Sequence, residues 1–159
     1  MGKPLVDLQQ LDLSRNVISE EELRIKLPHR GLFQLLDGIC HFDAERKLAV
    51  GYKDWSADPW WAAGHIPGKP VMPGVLMIEG AAQVASFLIK KVAGWDIDRM
   101  IGLAGLNEVR VRGQVVPPAR VYFVSGDVQF SGRRLARMPA QVFCNGQMTL
   151  EAVLLGVML

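Results

Sequence analysis

Gly64-His65-Ile66-Pro67-Gly68-Lys69-Pro70-Val71-Met72-Pro73-Gly74-Val75-Leu76-Met77-Ile78-Glu79-Gly80-Ala81-Ala82-Gln83 is the stretch on which the reading of this chain turns. Its first half is punctuated by Pro67, Gly68, Pro70, Pro73 and Gly74, a spacing that forbids a regular element. From Gly74 to about Ala93 the pattern changes to that of a long helix, with Pro73 and Gly74 suited to its first turn and Gly94 to its stop. Apolar residues surround most of its circumference from Val75 to Ile89. Such a helix is predicted to be buried rather than to lie on a surface.

The flanking sequence alternates in the manner of strands. Downstream, Met100 to Val111, Ala119 to Phe130, Leu135 to Cys144 and Gln147 to Leu159 are separated by Pro117-Pro118, Ser131-Gly132 and Asn145-Gly146. Asn-Gly between apolar runs is a strong hairpin signal. Upstream, Leu32 to Phe42 and Lys47 to Trp55 read as two strands joined through Asp43-Ala44-Glu45-Arg46, and Asp58-Pro59 opens a loop containing Trp60 and Trp61. Ser19 and Glu22 form a capping-box pattern for a short helix over Glu20 to Lys26, which Leu27-Pro28 ends. Residues 1 to 18 read as an irregular or loosely docked arm, and residues 19 to 159 as a single domain. One dominant buried helix with about six strands predicts an α+β fold in which an antiparallel sheet wraps around that helix.

Composition narrows the function classes. Half of the 159 residues are apolar, enough for a core without staples. Cys40 and Cys144 lack metal-ligand or redox spacing and read as packing residues, which fits a reduced, cytoplasmic protein. Met1 to Asp12 holds Lys3, Asp7 and Asp12 and no long apolar block, so no secretory signal is expected, nor is a membrane span. Residues 1–98 carry 11 basic and 13 acidic side chains, whereas residues 99–159 carry 7 and 3. That excess is too dispersed for a nucleic-acid footprint. Arg133, Arg134 and Arg137 read either as a solvated turn or as a patch for a modestly acidic protein partner.

The chemistry concentrates around the helix. An unpartnered carboxylate such as Glu79 in an apolar helix costs on the order of several kcal/mol, so its presence needs a reason. Gln83, four residues on, shares its face and can orient it. Burial is predicted to raise the Glu79 pKa and favour the protonated form that a general acid needs. The alternative is a carboxylate at the helix edge, solvated or paired with Lys69 or an arginine. His65, with Gly64, Pro67 and Gly68 fixing its backbone, is either a base active near neutrality or a histidine merely bonded within its loop. The N–H groups of Gly74 and Val75, following Pro73, are candidate oxyanion donors or an ordinary helix start. His29, in Leu27-Pro28-His29-Arg30, and His41 have no acidic partner nearby in sequence and read as structural. The chain has no G-x-S-x-G elbow, phosphate loop or H-E-x-x-H pair, Gly102 to Gly105 lacks the third glycine of a dinucleotide fingerprint, and no metal site is expected.

Together these residues resemble the FabZ-type 3-hydroxyacyl-(acyl-carrier-protein) dehydratases of the hotdog fold. The likeness begins at Leu27-Pro28-His29-Arg30, passes through Phe33, Leu35, Leu36 and Asp37, and peaks from Asp58 to Pro70 and from Met72 to Gln83. It resumes at Gly105-Leu106-Asn107-Glu108-Val109 and Val115-Val116-Pro117. The resemblance implies that His65 abstracts the C2 proton of a 3-hydroxyacyl thioester, that Glu79 assists departure of the C3 hydroxyl and that Gly74 polarises the thioester carbonyl. It further implies a homodimer whose sites are shared between subunits, a possible further assembly into a trimer of dimers, and acyl carrier protein as partner. No cofactor is implied beyond the phosphopantetheine arm that carries the substrate. Gly31-Leu32, Gly38 and Pro118-Ala119 depart from the family pattern away from His65 and Glu79, so they bear on chain length and carrier recognition. A hotdog thioesterase, with the carboxylate activating water, and a non-catalytic acyl-thioester-binding subunit are the alternatives.

Overall fold

Ser19 and Glu22 begin the first helix reciprocally. The Ser19 hydroxyl accepts from the Glu22 N–H at 3.2 Å, and the Glu22 carboxylate accepts from the Ser19 N–H at 2.8 Å. In the computed structural model, which describes residues 2–94 and 99–159, this box joins β1 (Ile18–Ser19) to α1 (Glu20–Lys26). Then follow β2 (Gly38–Asp43), β3 (Leu48–Trp55), α2 (Ala62–His65), α3 (Gly74–Ala93), β4 (Ile101–Val111), β5 (Ala119–Ser125), β6 (Gln129–Ser131), β7 (Leu135–Cys144) and β8 (Gln147–Met158). The strands form one antiparallel sheet in the order β1-β2-β3-β5-β7-β8-β4, with β6 paired to β7. The sheet wraps around α3, which is the hotdog arrangement.

The long helix keeps its expected bounds and stops at Gly94 in the left-handed region, φ 60°. The strand count is eight rather than about six. Part of the difference is the two-residue β1. The expected strand over Ala119 to Phe130 is also broken at Gly126 to Val128, where Asp127 takes φ 50° and the Gly126 N–H turns onto the Pro139 carbonyl at 3.2 Å. Upstream, Gly31–Phe33 form a 3-10 turn with Gly31 at φ 58°, so β2 starts only at Gly38. Asn145 and Gly146, at φ 51° and 75°, make the hairpin turn between β7 and β8.

Period-2 alternation along the strands builds two apolar layers. Ile39, Ala49, Phe123 and Val142 point toward α3, where Met77, Ala81, Val84, Phe87 and Leu88 meet them. Cys40, Val50, Val124 and Phe143 point the other way and are covered by Val6, with Leu5, Leu8, Leu11 and Leu13 beside it. Gln141 holds this arm at both of its amide ends: its Oε1 accepts from the Leu5 N–H at 2.8 Å, and its Nε2 donates to the Lys3 carbonyl at 3.0 Å. These two bonds dock the largely irregular arm on the sheet. Both cysteines are free and buried, and burial pushes the Cys40 thiol up to about 11. Among the described residues no helix is long and apolar enough to cross a membrane.

The depth of α3 rests on small residues. A Cβ on Gly80 would lie 2.4 Å from Cε1 of the fully buried Phe123. Substituting Gly80→Ala forces the helix or that ring to move, at about 1–3 kcal/mol. In urea unfolding the Gly80→Ala midpoint is expected to fall clearly below that of Gly156→Ala, whose nearest obstacle is the flexible Met138 Cε at 2.7 Å.

Candidate active site

The first side chain of the site is placed by the end of α1. Pro28 cannot continue the helix, and Arg30 folds back to donate to the carbonyls of Arg24 at 2.6 Å, Leu27 at 2.7 Å and His29 at 2.7 Å. This clamp turns His29 toward α3, where its Nε2 lies 3.3 Å from Glu79 Oε1. Gln83, one turn further along α3, donates from Nε2 to the same Glu79 oxygen at 2.9 Å. The other Nε2 hydrogen goes to the Phe33 carbonyl at 2.7 Å, and Oε1 of Gln83 accepts from the Leu35 N–H at 3.1 Å. Every polar end of the buried Gln83 amide is therefore used, and its orientation follows from its partners.

His65 ends the one-turn helix α2. Trp61 at the start of that turn packs edge-to-face on Trp55 of β3, ring centroids 5.6 Å apart, and accepts the His65 N–H on its carbonyl at 2.9 Å. The His65 Nδ1 lies 2.8 Å from the Val71 carbonyl oxygen. A carbonyl only accepts, so Nδ1 carries the proton and Nε2 presents a lone pair. The imidazole is exposed. Gly68, at φ 79°, makes the turn that returns the chain from His65 to α3.

Helix α3 begins without a side-chain cap, so the N–H groups of Gly74 and Val75 lie at a bare helix N-terminus. A Cβ on Gly74 would meet only Val111 Cγ2, at an ordinary 3.5 Å. The chain's own packing gives this glycine no steric reason. Further along, a cavity of about 120 Å³ beside Glu79 is lined by His29, Ala82, Ser86, Ile101, Leu103, Met138 and Leu154, among others. Its polar groups are the His29-Glu79 corner and the Ser86 hydroxyl; the other side chains named are apolar.

Glu79 and Gln83 meet as the helical spacing predicts, and Pro73 and Gly74 open α3 as expected. Of the alternatives for Glu79, pairing with Lys69 or an arginine is not what the structure shows: its partner is His29, which has no acidic residue nearby in sequence. Fifty residues separate the two, and no local pattern links them. The Glu79 pKa is also lowered, not raised: the His29 hydrogen bond outweighs the opposing effect of burial, and the Gln83 bond adds to it. His65 makes no hydrogen bond or ion pair with Glu79 within the chain and does not line the Glu79 cavity. In the arginine patch, Arg134 is engaged by the Met158 carbonyl at 2.9 Å and Arg137 lies 3.7 Å from Glu108. Among the described residues no group of three or more His, Cys, Asp or Glu side chains gathers to hold a metal ion.

Comparison with known proteins adds lineage to this geometry. Residues 27–153 match the family described as the FabA-like domain. The chain is 38% identical over 107 residues to a 3-hydroxyacyl-(acyl-carrier-protein) dehydratase FabZ of Moorella thermoacetica, covering 67% of this chain and 73% of that one. It is 32% identical over 139 residues to a FabZ of Chlamydia trachomatis serovar L2, covering 87% and 90% respectively. Among solved structures, the dehydratase heterocomplex ApeI:P from Xenorhabdus doucetiae aligns with a TM-score of 0.69 at 15% identity, over 91% of this chain and 93% of that one. At that identity the likeness speaks for the fold.

The lowered Glu79 pKa has a sign that stability can check. The native state binds this proton more weakly than the unfolded chain, whose carboxyl sits near the ordinary value of 4.5. The contribution is present above that value and is lost as the pH falls through the lower native one. In urea unfolding, the stability advantage of the wild type over Glu79→Gln is expected to be larger at neutral pH than near pH 4; an advantage that grows on acidification contradicts the assignment.

Proposed function

Because this chain belongs to the FabA-like family, we propose that it dehydrates 3-hydroxyacyl chains carried on acyl carrier protein to trans-2-enoyl chains, in fatty-acid or related acyl-chain synthesis. The observation that carries the reading is the His65 ring: Nδ1–H is tied to the carbonyl of Val71, two residues before the Pro73 cap of α3, which leaves Nε2 as the acceptor.

Nε2 takes the proton from C2, which is acidified by the adjacent thioester. The charge that develops on the thioester oxygen is received by the Gly74 N–H, with Val75 beside it, and helped by the helix dipole. The C–H electron pair becomes the C2=C3 double bond as the C3–O bond breaks, and Glu79 assists departure of the hydroxyl by holding it through a carboxylate oxygen. The departing hydroxyl takes up the proton that Nε2 removed from C2 and leaves as water, which returns His65 to its starting state; the elimination is redox-neutral and calls for no cofactor beyond the phosphopantetheine arm. The side of the Glu79 cavity lined by Ile101, Leu103, Met138 and Leu154 suits the acyl chain.

The working unit is a homodimer with a site composed from both subunits. Two features support this. The exposed His65 makes no hydrogen bond or ion pair with its own Glu79 and does not line the Glu79 cavity, which leaves the pair to be completed by another chain. Strand β4 ends the sheet order as an open edge and exposes Leu103, Leu106, Val109 and Val111. An edge with these apolar side chains is suited to pairing with a second copy of itself.

Substituting His65→Ala or Glu79→Gln is expected to reduce turnover of a 3-hydroxyacyl carrier protein by about 10²–10⁴-fold with the dimer intact. Mixing the two inactive variants under verified subunit exchange is expected to restore activity, since one heterodimer site regains both side chains. Exchange without recovery would contradict the shared site.

A further inference from the structure

We propose that His29 is a positioning residue of this site: its Nε2–H holds Oε1 of Glu79 and leaves Oε2 to meet the substrate hydroxyl. The proposal rests on the dehydratase reading given above. It starts from an asymmetry at the carboxylate. The two donors that reach Glu79, His29 at 3.3 Å and Gln83 at 2.9 Å, both converge on Oε1. Among the described residues none donates to Oε2.

The other side of the imidazole defines what His29 contributes. Its Nδ1 is buried and has no partner. A proton there would be a buried donor with nothing to bond, which disfavours both the imidazolium and the Nδ1–H tautomer. The geometry therefore favours the ring hydrogen on Nε2, where Glu79 is the acceptor in reach and the bond it makes is directional.

The surroundings keep that arrangement. Behind His29 lies a small gap lined by Leu23, Leu27, Leu36, Gln34, Gln83 and Arg24. The Arg24 guanidinium is engaged by Glu20 at 2.8 Å and Gln34 at 3.0 Å, and Arg30 is spent on backbone carbonyls. The residues of β4, β7 and β8 that line the Glu79 cavity are Ile101, Gly102, Leu103, Met138, Leu154 and Gly156, none of them titratable. Gln83 has no donor to spare for Oε2, because its second hydrogen is held by the Phe33 carbonyl. Removing His29 then leaves a half-buried carboxylate with one donor. It can rotate, and burial raises its pKa.

The test compares wild type, His29→Leu and His29→Gln in steady-state dehydration across pH, alongside ¹⁵N NMR of the wild-type imidazoles and ¹³C titration of the Glu79 carboxyl. His29→Leu is expected to lower kcat by up to about 100-fold with KM little changed. The pH limb that follows Glu79 and the carboxyl titration should both move to higher pH. His29→Gln, which keeps a donor of similar reach, is expected to recover most of the rate and the lower titration. Wild-type kcat and an unshifted titration in His29→Leu would overturn the proposal. Should His29→Leu fail to fold, the wild-type spectrum decides: a neutral Nε2–H tautomer through roughly pH 6 to 8 supports the positioning role, and an imidazolium or Nδ1–H tautomer rejects it. A wild type that dehydrates nothing while His29 still holds the carboxyl titration low would instead reject the dehydratase reading.

Discussion

The buried amide of Gln83 is the constraint on which the site depends. It binds α3 to the segment after the 3-10 turn by accepting from Leu35 and donating to Phe33, and it uses its remaining hydrogen to hold Glu79. A buried amide left half-satisfied is costly, so these three bonds stand or fall together. The Glu79 carboxylate is thus fixed by the same group that docks the Phe33 to Leu35 segment against the helix. On the neighbouring side, the Arg30 clamp at the end of α1 brings in His29, so the carboxylate is gripped from two separate segments.

Sheet geometry sets the remaining coordinates. Gly80 lets α3 settle against Phe123, and Gly51 has no room for a side chain beside Val84, whose Cγ2 is 2.7 Å from where a Cβ would sit. With the helix at that depth, its N-terminus emerges next to Val111 at the end of β4, and Glu79, about 7 Å further along the axis, opens on the cavity by Ile101 at the start of the same strand. Strand β4 thus runs past both the N-terminus of α3 and Glu79, and it is also an open edge of the sheet.

Much of this was legible in the residues, and the parts that were not have a common cause. The bounds of α3, its Gly94 stop, the capping box at Ser19 and the Asn145-Gly146 hairpin follow from short-range backbone rules and appear as expected. Gln83 beside Glu79 follows from helical periodicity. The misses were long-range. His29 lies near Glu79 only because Arg30 turns the chain at the end of α1, and no spacing along the sequence encodes that contact. The Glu79 pKa was expected to rise because burial was counted without the second donor. The arm reads as irregular or loosely docked, and the group that docks it, Gln141, stands more than 130 residues away. The break between β5 and β6 was missed because Asp127, unlike glycine, does not announce a positive φ.

If a His65 base and a Glu79 held from two sides remove water from a 3-hydroxyacyl thioester, mass spectrometry of 3-hydroxyacyl carrier protein, incubated with the wild type and with His65→Ala, will show loss of one water with the thioester intact, dependent on His65. Release of free thiol, or an unchanged acyl chain at every length tried, would contradict it.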